Sequence, residues 1–334
     1  MLNNNQTLDS NNYIKGLVSV IIPLFNRENY IVETLKSIDA QTYRPIECIV
    51  VDDGSEDMSK IVTENFIHSY KGDVAFILLC KKNTGVQNTR NYGTRYAKGE
   101  FIQYIDSDDI LFDDKFKRQV DYLNKHKDFN AVFSPWSVGV SALQSKCSDE
   151  QKNIASIIDV NTYFKYGPIV NFSPLMKVQS IKEVGVWDEQ LTINEELDYH
   201  IRFFVNGFKM GFLNYNCGLW REHQNFRLSE TNSFNNLYYF YKKHELLLKK
   251  SGLWSDEISS NFGMRIFWKL VANKYSGFIS RLKLIFLAVK FNKQLPLFQS
   301  KKVQILKSIL GNSIATVLWF YTILPFVKKQ EKKI

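Results

Sequence analysis

The sequence predicts an α/β fold: a mixed, mostly parallel sheet flanked by helices, followed by a C-terminal helical extension. Three observations carry that reading. Short apolar runs rich in β-branched residues alternate with stretches of helical periodicity, the pattern of βαβ units. Three of those runs stop at polar clusters, at residues 23–26, 52–55 and 106–109. Parallel sheets bind their ligands at the carboxyl ends of strands, so these stops mark a site. Finally, 45% of the 334 residues are hydrophobic, enough for a sizeable core in one large or two moderate domains.

Residues 17–22 form the first strand and stop at Pro23. Residues 28–40 place Ile31, Leu35 and Ile38 at helical spacing. Residues 46–51 are a second apolar run, ending in Asp52-Asp53-Gly54-Ser55, and a helix carrying Ile61, Val62, Phe66 and Ile67 follows. Residues 74–79 read as a third strand. A turn at Asn83-Thr84-Gly85 opens a helix that runs to Ala97, with Gly99 as its stop. Residues 101–105 are a fourth strand and 113–126 a helix. Beyond these, 130–136 and 170–177 read as strands, 137–159 as a loop, 181–183 as the start of a short helix, 195–205 as a helix and 210–212 as a strand. From residue 234 the chain becomes helical, aromatic and basic.

The net charge of +9 is unevenly placed. From Met264 onward there are fourteen Lys or Arg and one acid, Glu331; the remainder of the chain carries −4. An acidic body argues against nucleic acid as a partner, and a basic, apolar tail points to an anionic membrane surface. Residues 308–327 contain no charged side chain and reach the minimum length of a span. Polar Asn312, Thr316 and Thr322 dilute them, and 281–291 is a separate basic amphipathic stretch. Helices lying in the interface are favoured over a true span. Residues 1–15, rich in Asn and Ser, read as a disordered tail rather than a secretory signal. Cys48, Cys80, Cys147 and Cys217 form no CxxC pair and read as reduced, intracellular thiols.

The stretch YIDSDD, residues 104–109, sets an electrostatic problem. Asp106 and Asp108 lie two apart, so in extended chain they share a face. Like charges there are costly unless a cation neutralises them, and oxygen ligands suit Mg2+ or Mn2+ bridging protein and diphosphate. Asp109 is read as a turn or capping residue. No GxGxxG or GxxxxGK[ST] follows the first strand, which argues against dinucleotide-binding dehydrogenases and P-loop NTPases.

VSVIIPLFNRENYIVETLKSIDAQTYRPIECIVVDDGSED, then NTGVQNTRNYGTRYAKGEFIQYIDSDD, EVGVWDE, NEELDYHIRFFVNGF and REHQNFRLS, in this order, resemble family 2 glycosyltransferases of the GT-A fold. The resemblance covers about residues 17–230; together with the composition it divides the chain into a 1–15 tail, a 16–233 GT-A domain and, outside the resemblance, a 234–334 membrane-associating region. It implies an inverting, metal-dependent transfer of a sugar from a nucleotide-sugar, UDP by default, to an acceptor hydroxyl. Pro23, Phe25 and Asn26 would line the base and ribose pocket, and Asp53 would accept a hydrogen bond from the pyrimidine. Asn83 and Arg90 would lie near the nucleotide, Asp106 near ribose and metal, and Asp108 would ligate the metal. Arg221 and His223 would close over the diphosphate, His223 completing the metal shell; Ser229 is a weaker phosphate candidate.

The family usually has Glu-Asp where this chain has Glu195-Glu196. Its second residue is the general base, so Glu196 takes that role, with Asp198 as rival. The tail and the resemblance together imply an enzyme held at the cytoplasmic face of the membrane, acting on a glycan or lipid-linked acceptor in surface polysaccharide synthesis. A processive synthase would carry several spans and a QxxRW motif; neither is found, so single-sugar addition is expected. A sugar nucleotidyltransferase would need a Gly-rich loop that PLFNRENY lacks, and a non-catalytic GT-A protein has only the Asp-to-Glu departure in its favour.

Overall fold

A computed structural model describes residues 13–141, 146–147, 154–157, 159–222, 234–271 and 278–292. The chain forms two compact units; among the described residues the first holds every strand and the second three helices.

In the first unit, β1 (Ile14–Leu24) is the spine, with β2 (Ile46–Asp52) and β4 (Gly99–Tyr104) parallel on either side. β3 (Ala75–Cys80) extends the sheet beyond β2. β9 (Leu175–Lys177) runs antiparallel between β4 and β6 (Ala131–Phe133), and β10 (Met210–Phe212) pairs parallel with β6. The seven-stranded order is β10-β6-β9-β4-β1-β2-β3. This is the expected mixed, mostly parallel sheet. The spine is buried from Val18 to Leu24, which is why its sequence is a continuous apolar run rather than an alternating one.

Helices cover the sheet in the expected alternation. α1 (Ile31–Asp39) follows β1 and buries Ile31, Leu35 and Ile38 completely. Each such side chain contributes roughly 1.5–3 kcal/mol of transfer free energy. α2 (Ser59–Ser69) follows β2, α3 (Val86–Thr94) follows β3 and α4 (Lys115–Lys125) follows the acidic end of β4. α3 lies close to the sheet at Gly93, where a Cβ would come within 2.8 Å of Ile21 Cγ2 and 3.0 Å of Val51 Cγ2. Later come α5 (Val160–Tyr166), α6 (Val178–Val184) and α7 (Glu195–Val205).

Several boundaries differ from expectation. β1 starts at Ile14, inside the stretch expected to be a disordered tail, because Ile14 N–H bonds Lys98 O and Gly16 N–H bonds Glu100. β1 also runs through Pro23. Its pairing with β4 stops at Ile21 and Tyr104, so the missing proline N–H forfeits no ladder bond. Of the expected strand 170–177 only the last three residues are extended. The 137–159 loop holds β7 (Ser137–Gly139) and β8 (Lys146–Cys147), which join a small sheet in the order β5-β11-β7-β8 with β5 (Ile110–Leu111) and β11 (Gly218–Arg221). Strands of two to four residues are too short to show periodicity.

The second unit packs α8 (Phe234–Lys250), α9 (Asp256–Val271) and α10 (Phe278–Phe291) around an aromatic core. The Phe262 ring meets Tyr241 at 5.1 Å, Trp254 at 5.3 Å and Phe291 at 5.5 Å. Among the described residues no helix is long and apolar enough to cross a membrane. The uncharged 308–327 stretch lies outside them.

Candidate active site

The carboxyl ends of β1 and β2 stand level, since Leu24 pairs with Asp52, and β4 ends beside them, where Tyr104 pairs with Ile21. After β1, Phe25 is 41% exposed, a large apolar side chain presented at the strand end. Asn26 adopts φ +50°, a conformation that Asn tolerates better than most residues. Its N–H donates to Ser55 Oγ and its Oδ1 accepts from Glu56 N–H, so it ties the β1 loop to the β2 loop. That turn aims Arg27 across the strand ends, where Nε donates to Asp108 Oδ2 at 2.8 Å.

Asp53 is buried and works on the turn that opens α3. Its Oδ1 accepts from Thr84 N–H at 2.9 Å and from the Lys81 ammonium, and its Oδ2 accepts from Gly85 N–H at 2.9 Å. Three donors therefore use a carboxylate with about four acceptor positions. Gly54 makes this turn possible: its φ is +73°, and a Cβ would sit 3.0 Å from the backbone N of Asn83. Asn83 itself is exposed beside it.

Arg90 on α3 is the centre of the site. It is buried, yet its Nη2 donates to Asp106 Oδ1 at 2.7 Å and its Nη1 lies 3.9 Å from Glu195 Oε1. Its guanidinium stacks over Trp187 at 4.7 Å, and Trp187 stacks in turn on Tyr199 at 4.3 Å. One arginine thus joins the acidic end of β4 to the N-terminus of α7. Burial works against the guanidinium charge, but Asp106, Glu196 and Glu195 outweigh it and raise its pKa.

Burial, then the neighbouring Glu196 charge, pushes the Glu195 carboxyl up to about 8, against the pull of Arg90. Glu196 is also raised, by burial first and then by Asp106, with Arg90 and a hydrogen bond from Asn171 opposing. Asn171 Nδ2 donates to Glu196 Oε1 at 3.0 Å. Glu195, at about 8, holds its proton at neutrality, because burial penalises a second charge next to Glu196.

Asp198, the rival base, faces Arg202 on its own helix. It is fully buried and held by Arg202 through Nε at 2.9 Å and Nη2 at 2.8 Å. Arg202 also donates to Val184 O, so the pair fastens α7 to α6. Asp109 is the expected turn residue, its N–H bonding Asp106 O, and it has a second job: Oδ1 accepts from Arg221 N–H at 3.0 Å. Arg221 is buried at the end of β11, and its Nη2 pairs with Glu33 on α1 at 2.6 Å. His223 and Ser229 lie outside the described residues.

The residues are matched by the model of glycosyl transferase family 2 over residues 19–185, half of the chain. The chain belongs to glycosyl transferase family 2. An uncharacterised glycosyltransferase of Rickettsia conorii is 32% identical over 58% of this chain and 32% of its own length. The minor teichoic acid biosynthesis protein GgaB of Bacillus subtilis is 36% identical over 53% of this chain and 20% of its own length. The matches thus span a third or less of these two relatives. In fold, the family 2 chain is similar to S. aureus TarS 1–349 in complex with UDP-GlcNAc, with a TM-score of 0.69 at 18% identity over 94% of this chain and 92% of that one. It is also similar to a Pyrobaculum calidifontis mannosyltransferase in complex with GDP-Man and Mn2+, with a TM-score of 0.55 at 15% identity over 91% and 87%. The architecture is therefore GT-A.

Asp106 and Asp108 are both presented at the β4 end, and each has an oxygen on an arginine, Arg90 or Arg27. Among the described residues no group of three His, Cys, Asp or Glu is placed to hold a metal by itself. Hard carboxylate oxygens, two positions apart, suit an ion that completes its shell with substrate phosphates. The donor set fits Mg2+ or Mn2+. Sequence reasoning missed Arg27, Lys81, Asn171 and Trp187. Arg27 was visible beside Asn26 in PLFNRENY, but nothing local shows that it reaches a residue 81 positions away.

Proposed function

We propose that this family 2 glycosyltransferase is an inverting enzyme that moves a sugar from a nucleoside-diphosphate sugar, UDP first, to a hydroxyl of a glycan or lipid-linked acceptor. One observation carries the reading: Arg90 joins the Asp106 end of β4 to Glu195 and Glu196 at the start of α7. Donor and acceptor machinery are then adjacent. Glu196 is the base. Its raised pKa brings a carboxylate closer to the basicity an acceptor hydroxyl requires. Glu195, up at about 8, keeps its own proton near neutrality and leaves Glu196 to receive the acceptor's. Asn171 orients the Glu196 carboxylate.

Phe25 packs on the base and Asp53, at its remaining acceptor position, takes the imide N–H; Pro23, Asn26 and Asn83 shape that end of the site. Arg27 and Arg221 receive the diphosphate by exchanging their carboxylate partners for phosphate oxygens, for which the guanidinium fork is suited. Asp108 and Asp106 would hold a divalent ion, which supplies neutralisation of the charge developing on the departing diphosphate. His223 joins that shell in the same proposal. The similarity to a teichoic acid biosynthesis protein and the basic region after residue 264 support a surface-polymer acceptor at the cytoplasmic membrane face.

Turnover of UDP-GlcNAc in the presence of Mn2+, with and without chelator, tests this. Glu196→Gln should lose about 10²–10⁴-fold of transfer while UDP binding is kept. Asp108→Ala should lose donor turnover. Unchanged turnover in both variants would sink the proposal. Thermal shift across nucleotide-sugars names the donor, since ligand at 100 times its Kd stabilises by about 2.7 kcal/mol.

A further inference from the structure

The helical unit carries a cavity of about 560 Å³ whose lining does not belong to the sugar-transfer site. It lies between α8 and α10, and its lining includes Tyr238, Lys242, Lys283, Phe286, Leu287 and Lys290. Among the described residues, three cations and no acid line it.

The charge is organised. Glu245 sits behind the lysines, accepting from Lys290 Nζ at 2.7 Å and from Lys249 Nζ at 2.8 Å, with Lys242 at 3.6 Å. One carboxylate thus anchors three lysine stems while their number leaves a positive excess. The apolar residues are organised too. On α8 the spacing of Tyr238, Lys242, Leu246 and Lys249 makes a single stripe, and on α10 Lys283, Phe286 and Lys290 make another. Both stripes alternate cations with exposed apolar groups: Leu246 is 71% exposed and Phe286 49%. The opposite face of α10 buries Leu284, Ile285 and Ala288 in the unit's own core, so the outward stripe is surplus to folding.

We infer that the α8–α10 cavity seats the phosphate of an anionic phospholipid, with Phe286, Tyr238 and Leu246 entering the bilayer interface beside it. A soluble polyanion would use the lysines but offer nothing to the aromatic and aliphatic side chains. A neutral bilayer would use the apolar groups but waste the cations. Lysine stems that reach past apolar neighbours toward phosphate, and aromatic rings at headgroup depth, are the physics of a helix pair lying in an anionic interface. The inference rests on the membrane reading above and narrows it to particular residues, whereas composition alone points to the whole basic region after residue 264.

The test is co-sedimentation of the full chain with phosphatidylcholine vesicles containing or lacking phosphatidylglycerol. The variants are Lys242→Gln/Lys283→Gln/Lys290→Gln, Phe286→Ser alone, and a control with three lysines of 328–333 changed to Gln. Each lysine near the surface accounts for roughly fivefold in binding, so the triple variant should lose on the order of a hundredfold toward anionic vesicles. The control should lose much less, and Phe286→Ser should lose binding that persists at high salt. Equal losses in triple variant and control would overturn the cavity and leave the general membrane reading intact. No vesicle binding by wild type would overturn both. Release of the wild type from vesicles by soluble polyphosphate, with Phe286→Ser unaffected in all assays, would overturn the lipid in favour of a soluble polyanion.

Discussion

Raising the pH from 7.5 to 9.5 should stabilise the sheet unit through one buried lysine. Lys115 opens α4 directly after the acidic end of β4, and its side chain is fully buried. Among the described residues its ammonium meets neutral acceptors, Gln103 Oε1 and, at 2.6 Å, Gln119 Oε1. Those amides are fixed in turn: Gln103 donates to Tyr104 O and Phe172 O, Gln119 to Ser134 Oγ and Ser173 O. With no carboxylate beside it, burial brings Lys115 down to about 7 from an ordinary 10.5. Below pH 7 both folded and unfolded chains hold the proton, and the cost of burying the charge is present in full. Between 7 and 10.5 the unfolded chain binds the proton and the folded chain does not, so stability rises with pH. The full displacement corresponds to roughly 5 kcal/mol, and the interval from pH 7.5 to 9.5 carries about 2 kcal/mol of it. Urea melts of wild type and Lys115→Met across that interval measure it. Met leaves two amide oxygens without a donor, a cost that is the same at every pH, so only the difference in slope matters. Wild type should gain about 1 kcal/mol per pH unit relative to the variant. Parallel curves would refute the reasoning and mean that Lys115 stays charged through a partner beyond the two glutamines.

Other outcomes follow from the same contacts. Asn171→Ala removes a hydrogen bond that favours ionised Glu196, so the acidic limb of the kcat/KM profile should move to higher pH; an unmoved limb removes Asn171 from the positioning role. Arg90→Met removes the cation from Asp106 and Glu195 and should cost roughly 1.5–3 kcal/mol in thermal or urea unfolding, the worth of a charge-assisted hydrogen bond, since Asp106 is part-exposed. Gly93→Ala forces a methyl to within 3.0 Å of Ile21 and Val51 and should cost about 1–3 kcal/mol, with Asp106 and Glu196 chemistry retained per folded molecule.

Some features are local, and the sequence by itself determined them. Residues 17–22 and 46–51 form strands because their burial on both faces leaves an uninterrupted apolar run, and the intervening residues can satisfy only a helical period. YIDSDD marks a strand end for the same reason: three carboxylates within four positions cannot enter a buried sheet. Asp109 as a turn residue was legible, since its N–H bond to Asp106 O is three positions long.

Remote pairing belongs to the fold, which sets the cation or amide donor that each carboxylate meets. Asp108 takes Arg27 from 81 positions away, Asp53 takes Lys81 from 28, and Glu196 takes Asn171 from 25. It also separated Glu196 from Asp198, two residues that look equivalent on paper. On a helix they point in different directions, one toward Arg90 and Asn171 and the other into the Arg202 pair under α6. Apolar periodicity is a sum over neighbours along the chain and survives without the fold. A charge pair depends on a single distance between remote segments, and that distance exists only once the sheet has brought the strand ends side by side.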